Sequence, residues 1–182
     1  MKVTVYPNPV DKLYWNAVDG TLDIQMGYDA VTQQTGLKQY YRIKADATIT
    51  NGQCIMFSGA VGASGQLKGQ PATGVTTANQ ETIMGVATMD IAHNASGYVT
   101  SFGIVRGINT TGSSVGETWA DGDILYYNKN YTGGLTKVKP TAPDAIVVVA
   151  AVVNAGSGGS GSLLVRPTVD LHARARALHR TA

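Results

Sequence analysis

The residues best able to carry out chemistry in this chain of 182 residues lie in the stretch WADGDILYYNKNYTGGLTKV, residues 119–138. Asp121 and Asp123 flank Gly122, and three tyrosines follow before a Gly-Gly pair. Two carboxylates beside aromatic rings are the groups that glycoside hydrolases use as acid, base or nucleophile. Asp-Gly is equally a dipeptide of tight turns that precede strands, because glycine accepts a positive φ there. The choice between these two interpretations separates an enzyme from a structural protein.

An internal resemblance within the chain favours the turn. The segment ITNGQCIMFSGAVGASGQLKG has the same plan as TWADGDILYYNKNYTGGLTKV, and Gly52 matches Gly122 at an offset of 70 residues. If ADGD occupies the place of TNGQ, that position requires a turn former and not a carboxylate. The sequence therefore predicts Gly52, Asp121, Gly122 and Asp123 to be structural turn residues.

The resemblance continues downstream. IMGVATMDIAHNASGYVTSFG aligns with IVVVAAVVNAGSGGSGSLLVR, which places Val86-Ala87 over Val149-Ala150 at an offset of 63. Ser96-Gly97 then matches Ser160-Gly161 at an offset of 64. These matches predict a duplication, with one copy over residues 48–108 and the second over residues 118–167.

Other reactive side chains give no recognisable site. His93 lies in a polar turn, and His172 and His179 are seven residues apart without a cysteine or third histidine, which is a poor metal site. Cys54 lies in the strand-like QCIMF and is interpreted as a small core residue. SGGSGS lacks the context of a nucleophile elbow, and GAVGASG precedes no helix pattern. We therefore expect no enzymatic activity and no catalytic, cofactor-binding or metal site.

The elements that must position these residues are strands. Only 14% of the residues are charged, 43% are hydrophobic and 22 are glycine, a mixture typical of short strands joined by glycine-containing turns. We predict an all-β sandwich or barrel of short antiparallel strands. A single cysteine excludes an internal disulfide and is usual in a reducing cytoplasm. The longest apolar run has nine residues and is too short to cross a bilayer, so we expect a soluble protein.

Three regions follow from the patterning. Residues 1–45 are predicted to be an extended N-terminal segment that attaches the chain to a partner, and Thr21–Met26 alternates polar and apolar residues as a half-buried strand does. Residues 46–167 form the β-rich body. Residues 168–182 form a basic C-terminal helix or tail, whose predicted contacts with a partner or another copy are Leu171, Leu178, Arg174 and Arg176. The net charge of +2 does not give the broad basic face expected of a nucleic-acid-binding protein.

Several motifs resemble a β-rich module of structural proteins in tailed bacteriophages. The resemblance covers roughly residues 19–167 and consists of turn and strand signatures without catalytic groups. The matching segments are Gly85 to Asp90, Gly97 to Val99, Gly103 to Gly107, Gly122 to Tyr127, Gly134 to Thr136 and Pro140 to Pro143.

The resemblance implies a virion protein, made in the host cytoplasm, that contacts other tail or capsid proteins and assembles as a homotrimer. It implies a short tail-fibre or fibre-attachment protein, with a capsid decoration protein as the alternative. The absence of a heptad or collagen-like shaft favours a short fibre, an adaptor or decoration. A carbohydrate-binding or hydrolytic β domain is the less favoured interpretation. Neither a membrane nor a nucleic acid is expected as a partner.

Overall fold

The computed structural model describes residues 13–26 and 31–169, and in these residues the fold is all-β. The prediction of the fold class is confirmed. Apart from strands, the described residues contain short 3-10 helical turns at Gly62–Ser64, Gln80–Thr82 and Ser113–Val115. The strands are β1 (Leu13–Asn16), β2 (Thr21–Gln25), β3 (Thr32–Gln34), β4 (Gln39–Ala45), β5 (Cys54–Val61), β6 (Gln66–Pro71), β7 (Ile83–Ala87), β8 (Ser96–Ile108), β9 (Ile124–Tyr127), β10 (Leu135–Thr136), β11 (Val147–Asn154) and β12 (Gly161–Val169).

Five strands close into a first barrel. Around the ring, β8 pairs with β4, β4 with β6, β6 with β5, β5 with β7, and β7 returns to β8. All of these pairings are antiparallel except β4 with β6, which is parallel. The barrel interior contains small and branched side chains, namely Ile43, Ala45, Ile49, Ile55, Met84, Ala87, Ile91 and Val99. Closure removes the free edges that an open sheet would present.

A second set of five strands shares β8 with the first. The order β8-β12-β11-β9-β10 is antiparallel throughout. The long strand β8 is divided between the barrels: residues 96–102 pair with β4 and β7, and residues 103–108 pair with β12. Gly103 has a φ of +110° at the division. Among the described residues β10 has no strand partner besides β9, so the second barrel is open on that side.

The two barrels repeat the same strand plan. In the first barrel the plan consists of β5, β6, β7 and residues 96–102 of β8, which correspond in that order to β9, β10, β11 and β12 of the second barrel. The strand β4 of the first barrel corresponds to residues 103–108 of β8 in the second. The pairing of β5 with β7 skips Met84, and the pairing of β9 with β11 skips Val149, so the same irregularity occurs in both. The paired residues are Cys54–Val86, Ile55–Gly85 and Met56–Ile83 in the first barrel, and Ile124–Ala151, Leu125–Ala150 and Tyr126–Val148 in the second.

This register differs in one respect from the predicted alignment. The partner of Ile124 is Ala151, so Val86 corresponds to Ala151 at an offset of 65, two residues beyond the predicted Val149. A run of apolar residues extends from Ala145 to Val153, and its uniform composition does not distinguish alignments that differ by two residues. The sequence alone therefore does not set the register.

Two further expectations change. The predicted boundary at residue 46 is wrong for the body, because β4 lies before it and forms a wall of the first barrel with Ile43 and Ala45 buried. The strands are neither all short nor all antiparallel, since β8 has 13 residues and β4 pairs in parallel with β6. The predicted C-terminal helix or tail falls mainly in residues 170–182, outside the described residues, and β12 includes residues 168 and 169.

Candidate functional site

The predicted turn glycines occupy equivalent places at the entrances to β5 and β9. Gly52 and Gly122 both have a φ of +88°, which side-chain-bearing residues rarely adopt. The amide of Gly52 donates to Ala87 O at 2.9 Å, and the amide of Gly122 donates to Val152 O at 2.8 Å. The same backbone bond thus joins each turn to the end of its neighbouring strand.

The carboxylates beside Gly122 are both engaged within the turn region. Asp123 Oδ2 accepts a hydrogen bond from the Ala120 amide at 2.9 Å, as Gln53 Oε1 does from the Thr50 amide at 2.8 Å in the first barrel. Lys137 Nζ also lies 3.5 Å from Asp123 Oδ2. Asp121 Oδ1 accepts from the Ala155 amide at 2.6 Å. Gln53 accepts the same hydrogen bond in the first barrel that Asp123 accepts in the second, so this position does not require a carboxylate.

A third carboxylate, which the sequence did not single out, belongs to Glu117. Its Oε2 accepts from Trp119 Nε1 at 2.7 Å and from the Lys137 amide at 2.9 Å, while Thr136 Oγ1 donates to Oε1. Burial raises the pKa of Glu117, but the hydrogen bonds outweigh it, and the pKa lies below its usual value. The group is therefore ionised at neutral pH and is unsuited to donate a proton there.

Glu117 lines a groove of about 460 Å³ beside β9 and β10. Asp144, in the same groove, is paired with Lys129 at 2.7 Å. The two carboxylates of the groove are thus committed to protein donors. A second, wider groove of about 640 Å³ is more apolar and includes Tyr41 and Phe57 in its lining.

The remaining reactive groups are distributed through the fold. Cys54 is fully buried, and burial raises the pKa of its thiol to about 12, so it is protonated at neutral pH. Residues 13–26 and 31–169 contain no group of three or more histidine, cysteine, aspartate or glutamate side chains placed to hold a metal ion. Within the same ranges no helix has the length and apolar character needed to cross a membrane.

The repeat reveals a difference between the outer walls of the two barrels. In the first barrel the outward residues Tyr40, Cys54, Val86 and Thr100 are directly paired across four strands, and we call them the covered row. Cys54, Val86 and Thr100 are completely buried, and Tyr40 is half-buried. Cys54 and Val86 pack into the core of the second barrel. The outer wall of the first barrel thus closes the open side of the second.

In the second barrel the same four positions form the exposed row. Its residues Ile104, Ile124, Ala151 and Leu164 are directly paired in the same way. Ile124 is 44% exposed and Leu164 is 40% exposed, and Ile104 and Ala151 are half-buried. An apolar row across four strands is therefore left open to solvent.

A second exposed apolar surface lies on the N-terminal sheet, formed by β1, β2 and β3 in that order. The cross-strand pairs Leu13–Ile24 and Trp15–Leu22 face away from the body, and we call them the N-terminal apolar face. The alternation in β2 predicted a half-buried strand, and the strand has one buried and one exposed side. Leu22 and Ile24 lie on the exposed side. Thr21 and Asp23 are buried instead.

Polar contacts explain this inverted sheet. Asp23 is 2% exposed and accepts from Thr21 Oγ1 at 2.7 Å and from Asn16 Nδ2 at 3.0 Å. Tyr40 Oη of the first barrel donates to Thr32 O at 2.8 Å. Buried polar groups are stable only when hydrogen-bonded, and the bonds from Thr21 and Asn16 satisfy Asp23 within the sheet. The bond from Tyr40 joins the sheet to the first barrel. The apolar side then points away from the chain's own core.

The predicted contact residues Leu171, Leu178, Arg174 and Arg176 lie outside the described residues. The predicted turn residues contact the ends of neighbouring strands. They do not converge on a common cleft. The residues that sequence reasoning missed, Glu117 and the two apolar faces, depend on long-range pairing. The repeat itself was the available signal for the exposed row, because it identifies which outward positions correspond.

In comparisons with known proteins, no family model, no curated protein and no solved structure matches this chain.

Proposed function

We propose that the chain is a non-enzymatic structural component of a bacteriophage virion, a short tail-fibre or fibre-attachment protein that assembles as a homotrimer. The observation that carries the structural role is the pair of exposed apolar surfaces on an otherwise closed β body. Soluble monomers rarely expose contiguous apolar patches larger than roughly a few hundred Å², and larger patches usually mark contacts with other proteins. The turn and strand motifs that resemble phage structural modules supply the virion part of the proposal.

The chemistry of the carboxylates supports a structural role further. Asp121 and Asp123 close a turn, Glu117 joins neighbouring segments, and Asp144 pairs with Lys129. A glycoside hydrolase requires one carboxyl group that is protonated when the substrate binds, and this usually demands a raised pKa. The pKa of Glu117 is lowered instead. These groups therefore favour a scaffold over a hydrolytic domain.

A capsid decoration protein is the second candidate. The observation that favours it is the compact pairing of the two barrels, which share β8 and bury the covered row between them. A compact body of this kind suits a protein that sits on a lattice of other subunits as well as one that joins a fibre.

Immunogold electron microscopy of purified phage particles tests the proposal. An antibody raised against the purified chain is expected to label the tail tip or fibre base of intact particles. Labelling spread over the head would select the decoration protein instead. If purified particles lack the chain both by labelling and by mass spectrometry, a virion role is excluded.

A further inference from the structure

We infer that Asn51-Gly52, at the entrance to β5, is a deamidation site that the folded first barrel protects and that reacts when its turn opens. This modification site is independent of the proposed virion role. It depends on the chemistry of one dipeptide and on the contacts that hold that dipeptide in its turn.

The dipeptide has the residue types that deamidation needs. The backbone nitrogen of Gly52 attacks the side-chain carbonyl carbon Cγ of Asn51, and the side-chain nitrogen leaves as ammonia together with the amide proton. Water then opens the resulting succinimide ring at either carbonyl, which gives aspartate or isoaspartate at residue 51. Because glycine has no Cβ, nothing on residue 52 obstructs the ring closure. These 182 residues contain no other Asn-Gly pair.

The folded turn keeps the attacking nitrogen engaged. The amide of Gly52 donates to Ala87 O at 2.9 Å, and the amide of Asn51 donates to Asp90 Oδ1 at 2.7 Å. The nitrogen must lose its proton before it attacks, and a hydrogen-bonded amide releases its proton only through a local opening. Deamidation of the folded chain therefore requires the turn to separate from Ala87 and Asp90.

The side chain of Asn51 favours that opening. Its Oδ1 is shielded from solvent, yet it accepts no hydrogen bond from the residues that the structure describes. An acceptor that is removed from water without a donor is unfavourable, and opening of the turn hydrates it. The backbone contacts of the turn thus oppose opening, whereas the amide that reacts is relieved by it.

The second barrel shows why the product differs from the original turn. The counterpart of Asn51 there is already an aspartate, Asp121, and its Oδ1 accepts from the Ala155 amide at 2.6 Å. In the first barrel the counterpart of Ala155 is Asp90, so an aspartate formed at residue 51 lies beside a like charge. Isoaspartate also inserts one carbon into the backbone after residue 51, which displaces the turn from β7. Deamidation therefore loosens the entrance to β5.

Peptide mapping of the purified full chain, incubated at mildly alkaline pH, measures the reaction. Trypsin cleavage after Lys44 and Lys68 gives a peptide of residues 45–68 in which Asn51 is the only asparagine. Fragmentation mass spectrometry locates the conversion. It should be at least about tenfold slower in the folded chain than in the chain unfolded in guanidinium chloride, which corresponds to an opening free energy of about 1.4 kcal/mol or more. Equal rates, or an unfolded chain that is not converted, overturn the inference.

Matched variants test whether the opening of this turn controls the rate. Asp90→Ala removes the acceptor of the Asn51 amide and should speed deamidation of the folded chain several-fold. Asp90→Asn keeps an acceptor oxygen and should stay near the wild-type rate. Asp121→Ala removes the equivalent contact of the second barrel and should leave the rate at Asn51 unchanged. Circular dichroism melting confirms that each variant is folded. If Asp90→Ala leaves the rate unchanged, or if Asp121→Ala raises it equally, opening of this turn is not the control.

The deamidated chain gives an independent readout of the consequence. It carries one additional negative charge, so ion exchange separates it from the unmodified chain. Its thermal melting should begin at a lower temperature than that of the unmodified chain, and the isoaspartate fraction should melt below the Asn51→Asp variant, which has a normal backbone. A deamidated fraction that melts together with the unmodified chain contradicts the loosening of β5.

Discussion

The two barrels close in different ways, although they repeat one strand plan. In the first barrel β4 and β6 pair through their backbones, and the Asp46 amide extends the closure to Gly69 O at 2.8 Å. The side chains of Asp46 and Lys68 form an ion pair beside this seam. The first barrel is therefore closed by its own strands.

The second barrel is closed by side-chain contacts and by packing instead of by strand pairing. Its strand β10 has two residues and does not reach β8. The carboxylate of Glu117 instead bonds Thr136 and the Lys137 amide, and the outer wall of the first barrel packs over the open side. The connection from β8 to β9, which carries Glu117, is longer than the equivalent connection from β4 to β5, and in the first barrel β4 and β6 pair directly instead.

The comparison teaches that duplication copies the strand plan more faithfully than it copies the edges. A strand plan is maintained by many backbone bonds and by the alternation of side chains. The closure of a sheet edge depends on a few residues. An edge strand does not need a strand partner where another part of the protein covers it. The second barrel has a covered edge and an exposed outer wall, whereas the first has a closed edge and a covered outer wall.

The largest expected effect comes from a glycine where the first barrel closes tightly. Gly85 has a φ of +148°, and a Cβ there would lie 1.9 Å from Thr100 O. Gly85→Ala should cost more than about 3 kcal/mol of unfolding free energy, because the pairing of β7 with β8 must open to admit the methyl group. Urea denaturation followed by circular dichroism measures the loss.

The equivalent residue in the second barrel is Ala150, which provides the matched control. Ala150→Gly should cost only about 0.5–1 kcal/mol, the usual penalty for glycine within a strand. A Gly85→Ala protein with a loss as small as that of the control would mean that the first barrel is not tightly closed at β7 and β8.

The next effect should be equal in the two barrels. Ile55 and Leu125 are equivalent, inward and fully buried. Ile55→Ala and Leu125→Ala should each lower the unfolding free energy by about 2–5 kcal/mol, because each leaves a cavity in a packed core. Chemical denaturation of both variants gives the comparison.

The neighbouring position serves as the control for this pair. Ile124 points outward, so in dilute monomer Ile124→Ala should change stability by less than about 1 kcal/mol. If Leu125→Ala were as mild as Ile124→Ala, the second barrel would lack the packed interior assigned to it.

Much of the architecture could be predicted from the sequence because it has local causes. Asn-Gly and Asp-Gly mark the turns at Gly52 and Gly122, and the surrounding plan gave their offset of 70 without a structure. What could not be predicted has long-range causes. Alternation in β2 gives two faces but does not say which faces the body, and that choice depends on how the sheet packs on the first barrel, where Tyr40 Oη donates to Thr32 O.

The candidate surfaces were harder to predict than the turns for the same reason. Ile124 and Leu164 are ordinary strand residues in the sequence, and only their cross-strand partners place them in one exposed row. Glu117 follows a glycine in a loop without a motif, and its role depends on Thr136 and Lys137, about twenty residues away. Local patterning contains no signal for either feature.

A smaller effect, dependent on pH, should distinguish the two closures. Glu117→Ala removes the acceptor for three hydrogen bonds and should cost roughly 1–3 kcal/mol at pH 7. Because the pKa of Glu117 is lowered in the folded protein, the unfolded chain binds more protons at acidic pH. Its contribution is therefore full above the ordinary carboxyl pKa of about 4.3 and is lost as the pH falls through the lower folded value.

Urea unfolding at a series of pH values measures this contribution. The wild type and Glu117→Ala should differ most at neutral pH and converge on acidification. Glu117→Gln, which keeps the size of the side chain, should have an intermediate stability at pH 7. A gap between wild type and Glu117→Ala that stays constant from pH 7 to pH 3 (a range that spans the carboxyl pKa values) would show that the carboxylate does not clasp the second barrel.

The smallest effect concerns the turns, where the repeat keeps one contact and reverses its direction. In the first barrel the Asn51 amide donates to Asp90 Oδ1 at 2.7 Å, whereas in the second the amide of Ala155, the counterpart of Asp90, donates to Asp121 Oδ1. Asp121→Asn preserves an acceptor oxygen and the turn preference, so it should change stability by less than about 0.5 kcal/mol and leave assembly intact. Asn51→Asp should cost more, about 0.5–1 kcal/mol, because it adds a second carboxylate beside Asp90.

Thermal melting at low salt, where repulsion between charges is least screened, distinguishes the effects of Asp121→Asn and Asn51→Asp. Equal effects would mean that the two turns are interchangeable despite the reversed contact, and loss of assembly in Asp121→Asn would restore a functional role for that carboxylate.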